Sequence, residues 1–167
     1  LAALDAVRIV PVLFKGAALA QTAYANSACR PMGDLDLWMT DEEMGPAQIA
    51  LEHLGYVQHA KATRPVALQA QRRGEVQLIG RAPGAGLVEL HWGVFAGEWL
   101  ERTAAVDEAA IRARCLVLDV LGCPARTLTP EDTVLQLAAH LAINHQFAYP
   151  WLRGLLDIVL TARWRGV

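Results

Sequence analysis

Two carboxylates one residue apart, Asp34 and Asp36, sit in the run Arg30-Pro31-Met32-Gly33-Asp34-Leu35-Asp36-Leu37-Trp38-Met39. On a strand, side chains two apart share a face, so the alternation sends both acids one way and Leu35, Leu37 and Met39 the other. The apolar side belongs in a core, and the acidic side must meet water, a cation or a partner. Like charges held close repel, and a divalent metal between them makes the arrangement favourable. Alone, an Asp-x-Asp pair more often marks a half-exposed edge strand with solvated acids. Residues elsewhere shift that balance. Leu87–Val94 repeats the alternation, with Val88, Leu90 and Trp92 on one face and Glu89 and His91 on the other, which makes a second acidic strand. Ahead of both, Val12-Leu13-Phe14 reads as a short buried strand ending at Lys15-Gly16, and the composition from Ala17 to about Asn26 is helical. A strand, a glycine turn and a helix start bring unpaired N–H groups beside a lysine charge, an arrangement able to hold phosphate. The Lys-Gly dipeptide by itself more often marks an ordinary turn.

The elements that must position these residues carry their own signals. Residues 1–9 have partial helical periodicity, stopped by Pro11. Thr40-Asp41-Glu42-Glu43 is a capping box, so a helix should run to about Leu54 and end at Gly55. Val66–Gln71 and Glu75–Ile79 read as antiparallel strands joined around Arg73-Gly74, with a loop at Pro83, Gly84 and Gly86. Residues 97–114 read as helical or irregular; Cys115–Leu121 and Pro124–Leu128 then pair through Gly122. Thr129-Pro130-Glu131-Asp132 opens a helix to about Gln146, with a capping hydroxyl, proline at the first position and acids in the first turn. A last helix, from about Trp151 to Trp164, carries Leu152, Leu155, Leu156, Val159 and Leu160 on one stripe, the face expected to pack. His140 and His145, five apart, should fall on different faces of their helix, against a joint metal site.

The totals narrow the classes. A chain of 167 residues with 54% hydrophobic and 19% charged content is globular and long enough for one domain plus a small helical unit. A net charge of -2 argues against general nucleic-acid binding. The arginine pairs Arg72 with Arg73, Arg112 with Arg114 and Arg163 with Arg165 read as solvated surface. Cys29, Cys115 and Cys123 are odd in number and far apart, which suggests reduced thiols in a cytoplasmic protein. Asp5, Arg8, Pro11, Lys15 and Gly16 interrupt the apolar start, so no membrane association is expected. The chain opens mid-pattern without methionine, as a fragment of a longer protein would.

Set together, Leu13-Phe14-Lys15-Gly16-Ala17-Ala18-Leu19, the Arg30–Leu37 block, Glu89-Leu90-His91-Trp92, and Thr129-Pro130-Glu131-Asp132 followed by His140 resemble a known superfamily. It is the nucleotidyltransferases typified by DNA polymerase beta, and within it the bacterial family called uncharacterised nucleotidyltransferases. The likeness spans nearly the whole chain, and its specific part is the Arg-Pro-Met-Gly-Asp-Leu-Asp-Leu block. It implies an α+β fold, with a mixed, mainly antiparallel sheet flanked by helices. A catalytic core would cover 1–128, and a C-terminal helix pair over 129–167 would pack on it. The implied activity moves a nucleoside monophosphate from an NTP, ATP foremost, to a hydroxyl or phosphate of an unknown acceptor. That acceptor is a small molecule, a peptide or protein, or RNA.

By the same resemblance Asp34, Asp36 and Glu89 are catalytic and hold Mg²⁺, or Mn²⁺ in its place. Glu89 would complete the acceptor-side metal site and take the proton from the attacking hydroxyl. Lys15, Gly16 and Ala17 would bind the nucleotide phosphates, with Arg30 as a further phosphate ligand or, equally, the partner of a nearby acid. His91 and Trp38 are candidate substrate contacts, each with a structural alternative. One departure stands out: many superfamily members carry Gly-Ser where this chain has Gly16-Ala17, so Lys15 would substitute for the serine hydroxyl. The competing reading is a catalytically silent module of this fold, binding a nucleotide or a protein partner, for example to neutralise a toxin. A silent module has no electrostatic reason to retain three acids in a repulsive cluster.

Overall fold

The short apolar run after Pro11 becomes the centre of a seven-stranded sheet. In this computed structural model, which describes residues 1–59, 68, 74–95, 100, 103–146 and 152–164, β1 (Val12–Leu13) is buried over its whole length. It pairs antiparallel with β2 (Asp34–Trp38) and parallel with β7 (Cys123–Thr127). On the far side of β2 lie β5 (Leu87–His91), β4 (Glu75–Gly80) and β3 (Tyr56–Gln58), and β6 (Leu116–Val120) closes the other edge, giving the order β3-β4-β5-β2-β1-β7-β6. Only β1/β7 and β2/β5 are parallel pairs; the other neighbours run antiparallel. The α-helices whose bounds lie among the described residues are α1 (Ala2–Ala6), α2 (Lys15–Thr22), α3 (Asp41–His53), α4 (Glu108–Ala113), α5 (Pro130–Ile143) and α6 (Leu152–Arg163). The fold is therefore mixed α+β, mainly antiparallel and flanked by helices.

The two faces of the sheet differ as the alternation requires. Leu37, Val88 and Leu90 point into the main core with Leu13, Val76 and Leu78, covered by Met44, Ala47, Ala50 and Leu51 of α3. Trp92 packs against this same core. A smaller cluster of Val12, Phe14, Trp38, Val94, Ile111 and Leu128 lies toward α4. The helix starts follow their signals: Glu43 N–H donates to Thr40 Oγ1 while the Glu43 carboxylate accepts from Thr40 N–H at 2.9 Å, completing the capping box. Thr129 caps α5, with Asp132 N–H donating to its hydroxyl at 3.2 Å and Pro130 at the first position.

Three expectations change. On the side away from β5, β4 pairs with β3, a strand the sequence did not single out, whose Tyr56 and Val57 follow a helix stop at Gly55 with φ +85°. The expected strand Val66–Gln71 lies outside the described residues apart from Leu68, which is helical. The arginines Arg112 and Arg114 are not a solvated cluster: Arg112 bonds Glu43 at 2.6 Å, and Arg114 grips Asp132 with two bonds of 2.7 Å. The third change concerns α6, where Leu152, Leu155, Leu156 and Val159 are 46–70% exposed. The helix instead turns Asp157 and Thr161 inward. Gly154 comes close enough to Leu141 of α5 that an added Cβ would lie 3.3 Å from its methyl. Ionic and close-packing ties, described below, set the rotation of α6 against its hydrophobic periodicity.

Candidate active site

The register of β2 against β5 places Asp36 opposite Glu89, and β4 places Gln77 opposite Glu89 in turn. Three polar side chains thus form a row across adjacent strands on the face away from the main core. His91, two residues past Glu89, shares that face. Its Nε2 lies 2.9 Å from Asp36 Oδ1 and 3.5 Å from Glu89 Oε2, and Phe14 meets its ring edge-on at 4.9 Å. Gln77 Nε2 donates a short hydrogen bond to Glu89 Oε1. Asp36, Glu89 and His91 are all buried, and each offers one ligand atom within 4.8 Å of the others.

Lys15 reaches this row from the neighbouring strand end. It is the first residue of α2 and holds φ +51°, a left-handed conformation costing about 1 kcal/mol for a side chain with a Cβ. From there its Nζ donates to Asp36 Oδ1 at 2.7 Å. Gly16 is required by close approach: a Cβ there would sit 3.2 Å from Met32 Cβ and 3.3 Å from an Arg30 nitrogen.

Charges in this cluster shift one another. Burial pushes the Asp34 carboxyl up, and the negative charges of Asp36 and Glu89 add to it. Burial also opposes ionisation of Asp36, but the hydrogen bond from His91 and the Lys15 charge outweigh it and hold that carboxyl below its ordinary range. Glu89 is likewise held low against burial, by His91 and Gln77. For His91 burial favours the neutral ring; its bonds to the two carboxylates prevail and raise it. Lys15 and His91 thus both bond to the acidic row, Lys15 to Asp36 and His91 to Asp36 and Glu89.

In front of this row lies a cleft of about 490 Å³, lined by Lys15, Gly16, Arg30, Asp34, Asp36 and Glu89 and walled opposite by α5 and α6. The α6 wall is pinned by Asp157, which is 2% exposed. Arg30 donates to it through Nε at 3.0 Å and a terminal nitrogen at 2.9 Å, and Tyr24 donates its hydroxyl at 2.7 Å. Burial and that bond push the Tyr24 phenol up to about 12.

The model of the family described as uncharacterised nucleotidyltransferase matches residues 1–166. The chain belongs to that nucleotidyltransferase family. No curated protein matches the sequence. Among solved structures, it is similar to the antibiotic-resistance factor ANT(2'')-Ia in solution, at 17% identity and TM-score 0.64, over 97% of this chain and 78% of that one. An antigenic nucleotidyltransferase-like protein from Paracoccidioides brasiliensis matches at 15% identity and TM-score 0.60, over 96% and 70%. The lincomycin-bound lincosamide antibiotic adenylyltransferase LnuA matches at 10% identity and TM-score 0.55, over 95% and 89%. At these identities the likeness is one of fold.

Within this nucleotidyltransferase the residues singled out by sequence fall into three groups. Asp36, Glu89, His91 and Lys15 converge, and Asp34 lies on the cleft wall beside them, outside the tight ligand group. Gly16 and Arg30 line the cleft as well, with the Arg30 fork engaged by Asp157 and its remaining nitrogen on Pro31 O at 2.7 Å. Trp38 and Ala17 do not line it. Trp38 is 2% exposed, donates its indole N–H to Trp92 O and lies under the Arg112 guanidinium; Ala17 packs in the main core.

Four further site residues carried little signal. Asp157 is a lone carboxylate inside an apolar helix, a pattern that marks a buried partner. Gln77 alternates correctly on β4 but is unremarkable by type. His140 and His145 meet with their Nε2 atoms 3.0 Å apart, against the expectation of separate faces. The reason is that α5 ends at Ile143 and Gln146 turns with φ +50°, so His145 is off the helix. Both rings line the cleft.

Proposed function

We propose that the protein is a divalent-metal-dependent nucleotidyltransferase that moves a nucleoside monophosphate, with ATP as the donor, onto a hydroxyl or phosphate of a small acceptor. The single observation that carries this is the convergence of Asp36 and Glu89 on one face, their ligand atoms and one of His91 within 4.8 Å of one another and beside Lys15. The carboxylates of Asp36 and Glu89 are oxygen donors of the kind that would hold Mg²⁺ or Mn²⁺, and Asp34 at the cleft wall adds a further one. When bound, the metal supplies neutralisation of phosphoryl charge and polarisation of the acceptor oxygen.

The chain's own residues do the rest. Lys15 leaves Asp36 for the triphosphate, which it grips together with the N–H of Gly16 at the start of α2, while the expected contact of Ala17 is not retained because Ala17 packs in the main core. His91 keeps Asp36 and Glu89 oriented from behind. Glu89 accepts the proton of the attacking hydroxyl, whose oxygen bonds the α-phosphorus as the bond to pyrophosphate breaks. Arg30, held by Asp157, positions the turn before β2 instead of touching phosphate directly. The helix pair over 129–167 acts as an appended unit that closes the cleft over the core of 1–128.

Adenylyl transfer to small antibiotics, as the names of ANT(2'')-Ia and LnuA describe for those proteins, supports a small acceptor here. The test is incubation with α-phosphate-labelled ATP and Mg²⁺ in a small-molecule extract, followed by pyrophosphate release and by label transfer. Label moving to an extract component, with release of pyrophosphate, is the expected result. Nucleotide binding without either would favour a silent nucleotide-binding module.

A further inference from the structure

Behind the acidic row a second, smaller cavity of about 40 Å³ opens off the cleft, since Lys15, Glu75, His140 and Asn144 line both. It has room for roughly two or three water-sized groups. Its walls are apolar at Phe14, Val94, Phe95, Leu100 and Ile143. From α5, Gln136, His140 and Asn144 enter at successive turns, i, i+4 and i+8, as one polar stripe. Among the described residues two buried side-chain polar atoms lack a partner, Arg112 Nη1 and Gln136 Oε1, and Gln136, 3% exposed, is the one that lines this chamber. A buried acceptor left unpaired is costly, so its retention marks a place where something donates to it.

On the reading given above Glu89 takes the proton of the acceptor hydroxyl, and the chamber is lined by His91, whose Nε2 lies 3.5 Å from the Glu89 carboxylate, so a head seated there is held beside the acidic row. We propose that the chamber anchors the acceptor, taking a hydrogen-bond-donating hydroxyl or amino head on a small molecule, with Gln136 as the residue that recognises it. The carboxylate of Glu75 at the shared mouth and the acids of the row favour such a donor over an anionic group. The apolar walls limit the chamber to one compact head, which excludes a polymer backbone. Gln136 is a specificity residue in this account, since it lies outside the metal-ligand group of Asp36, Glu89 and His91.

The test uses the whole chain, labelled with ¹⁵N, with the Gln136 side-chain amide followed by NMR. The probes are 2-aminoethanol and, as a size match without a donor, ethyl methyl ether. A saturable shift of the Gln136 amide with 2-aminoethanol and none with the ether is expected. In Gln136→Leu the response of the Ala139 and Asn144 amides should weaken at least tenfold, while affinity for ATP with Mg²⁺ stays within twofold of wild type. Gln136→Glu, which keeps the acceptor, should retain the response and serves if the leucine variant fails to fold. No saturable shift in the wild type, or equal shifts with both probes, overturns the proposal. So does a tenfold loss of ATP affinity in Gln136→Leu, which would assign the chamber to the nucleotide. If the wild type binds no ATP with Mg²⁺ at all, the transferase reading fails, and the comparison of the two probes still decides whether the chamber recognises a donor.

Discussion

The two walls of the cleft are built on different principles. The sheet wall, carrying Asp36, Glu89 and His91, is positioned by backbone register: Asp36 faces Glu89 because β2 and β5 pair in that phase, and a slip of one residue would send every acid into the main core. The helical wall, α5 and α6, is positioned by side chains. The fork of Arg30 on Asp157, the Tyr24 hydroxyl and the close approach of Gly154 to Leu141 hold α6 with its leucines facing outward. Register is cooperative and tolerates the loss of one contact, whereas a wall held by one ion pair depends on it. The sheet side is therefore expected to be the rigid half of the site and the helical side the adjustable one.

The largest effect expected to sharpen this contrast is chemical. Asp36→Asn keeps shape and strand pairing, yet pyrophosphate release should fall by about 10³-fold with little change in thermal midpoint; a parallel collapse of stability would mean that the sheet wall also rests on its side chains. On the helical side the effect should be structural. Asp157→Ala strands the Arg30 guanidinium in a largely buried position and should cost about 3 kcal/mol in urea denaturation, and a loss under 1 kcal/mol would deny that the pair pins α6.

A pH experiment probes the same wall. His140 is pushed down to about 4 by burial, with the charges of Lys15 and His145 adding to it. A group depressed in the fold stabilises fully above its unfolded value, near 6.5, and loses that contribution as pH falls toward 4. The wild type should thus lose thermal stability over that window more steeply than His140→Gln; identical slopes would contradict the buried, neutral ring. The smallest effect is expected at the outward stripe. Leu155→Gln should change stability by less than about 0.5 kcal/mol, and a loss of several kcal/mol would show that this stripe is buried in solution.

What the sequence disclosed follows the same division. Alternation with period two has a single solution once one face is apolar, so the sidedness of Asp34, Asp36, Glu89 and His91 could be read directly, as could the caps at Thr40 and Thr129. The partner of β4 could not, because antiparallel pairing is decided by which neighbour closes the sheet. Helical periodicity pointed to the leucines of α6 as the packing face, and a lone aspartate among them outweighed four apolar side chains because its buried partner is a guanidinium. The meeting of His140 with His145 depended on where α5 stops, which periodicity does not fix. Trp38 was misplaced for a related reason: sharing a face with the acids did not decide whether α4 would cover it.

The central proposal is that Asp36 and Glu89 would hold one divalent cation and that the Lys15 ammonium, 2.7 Å from Asp36, competes with it for that carboxylate. A Mn²⁺ titration followed by EPR, without nucleotide, on wild type, Asp36→Asn, Glu89→Gln and Lys15→Met tests it most directly. The account predicts weaker binding by about tenfold or more in the two acid variants and tighter binding in Lys15→Met, where the competing ammonium is gone. Four indistinguishable titrations, or weaker binding in Lys15→Met, would contradict it.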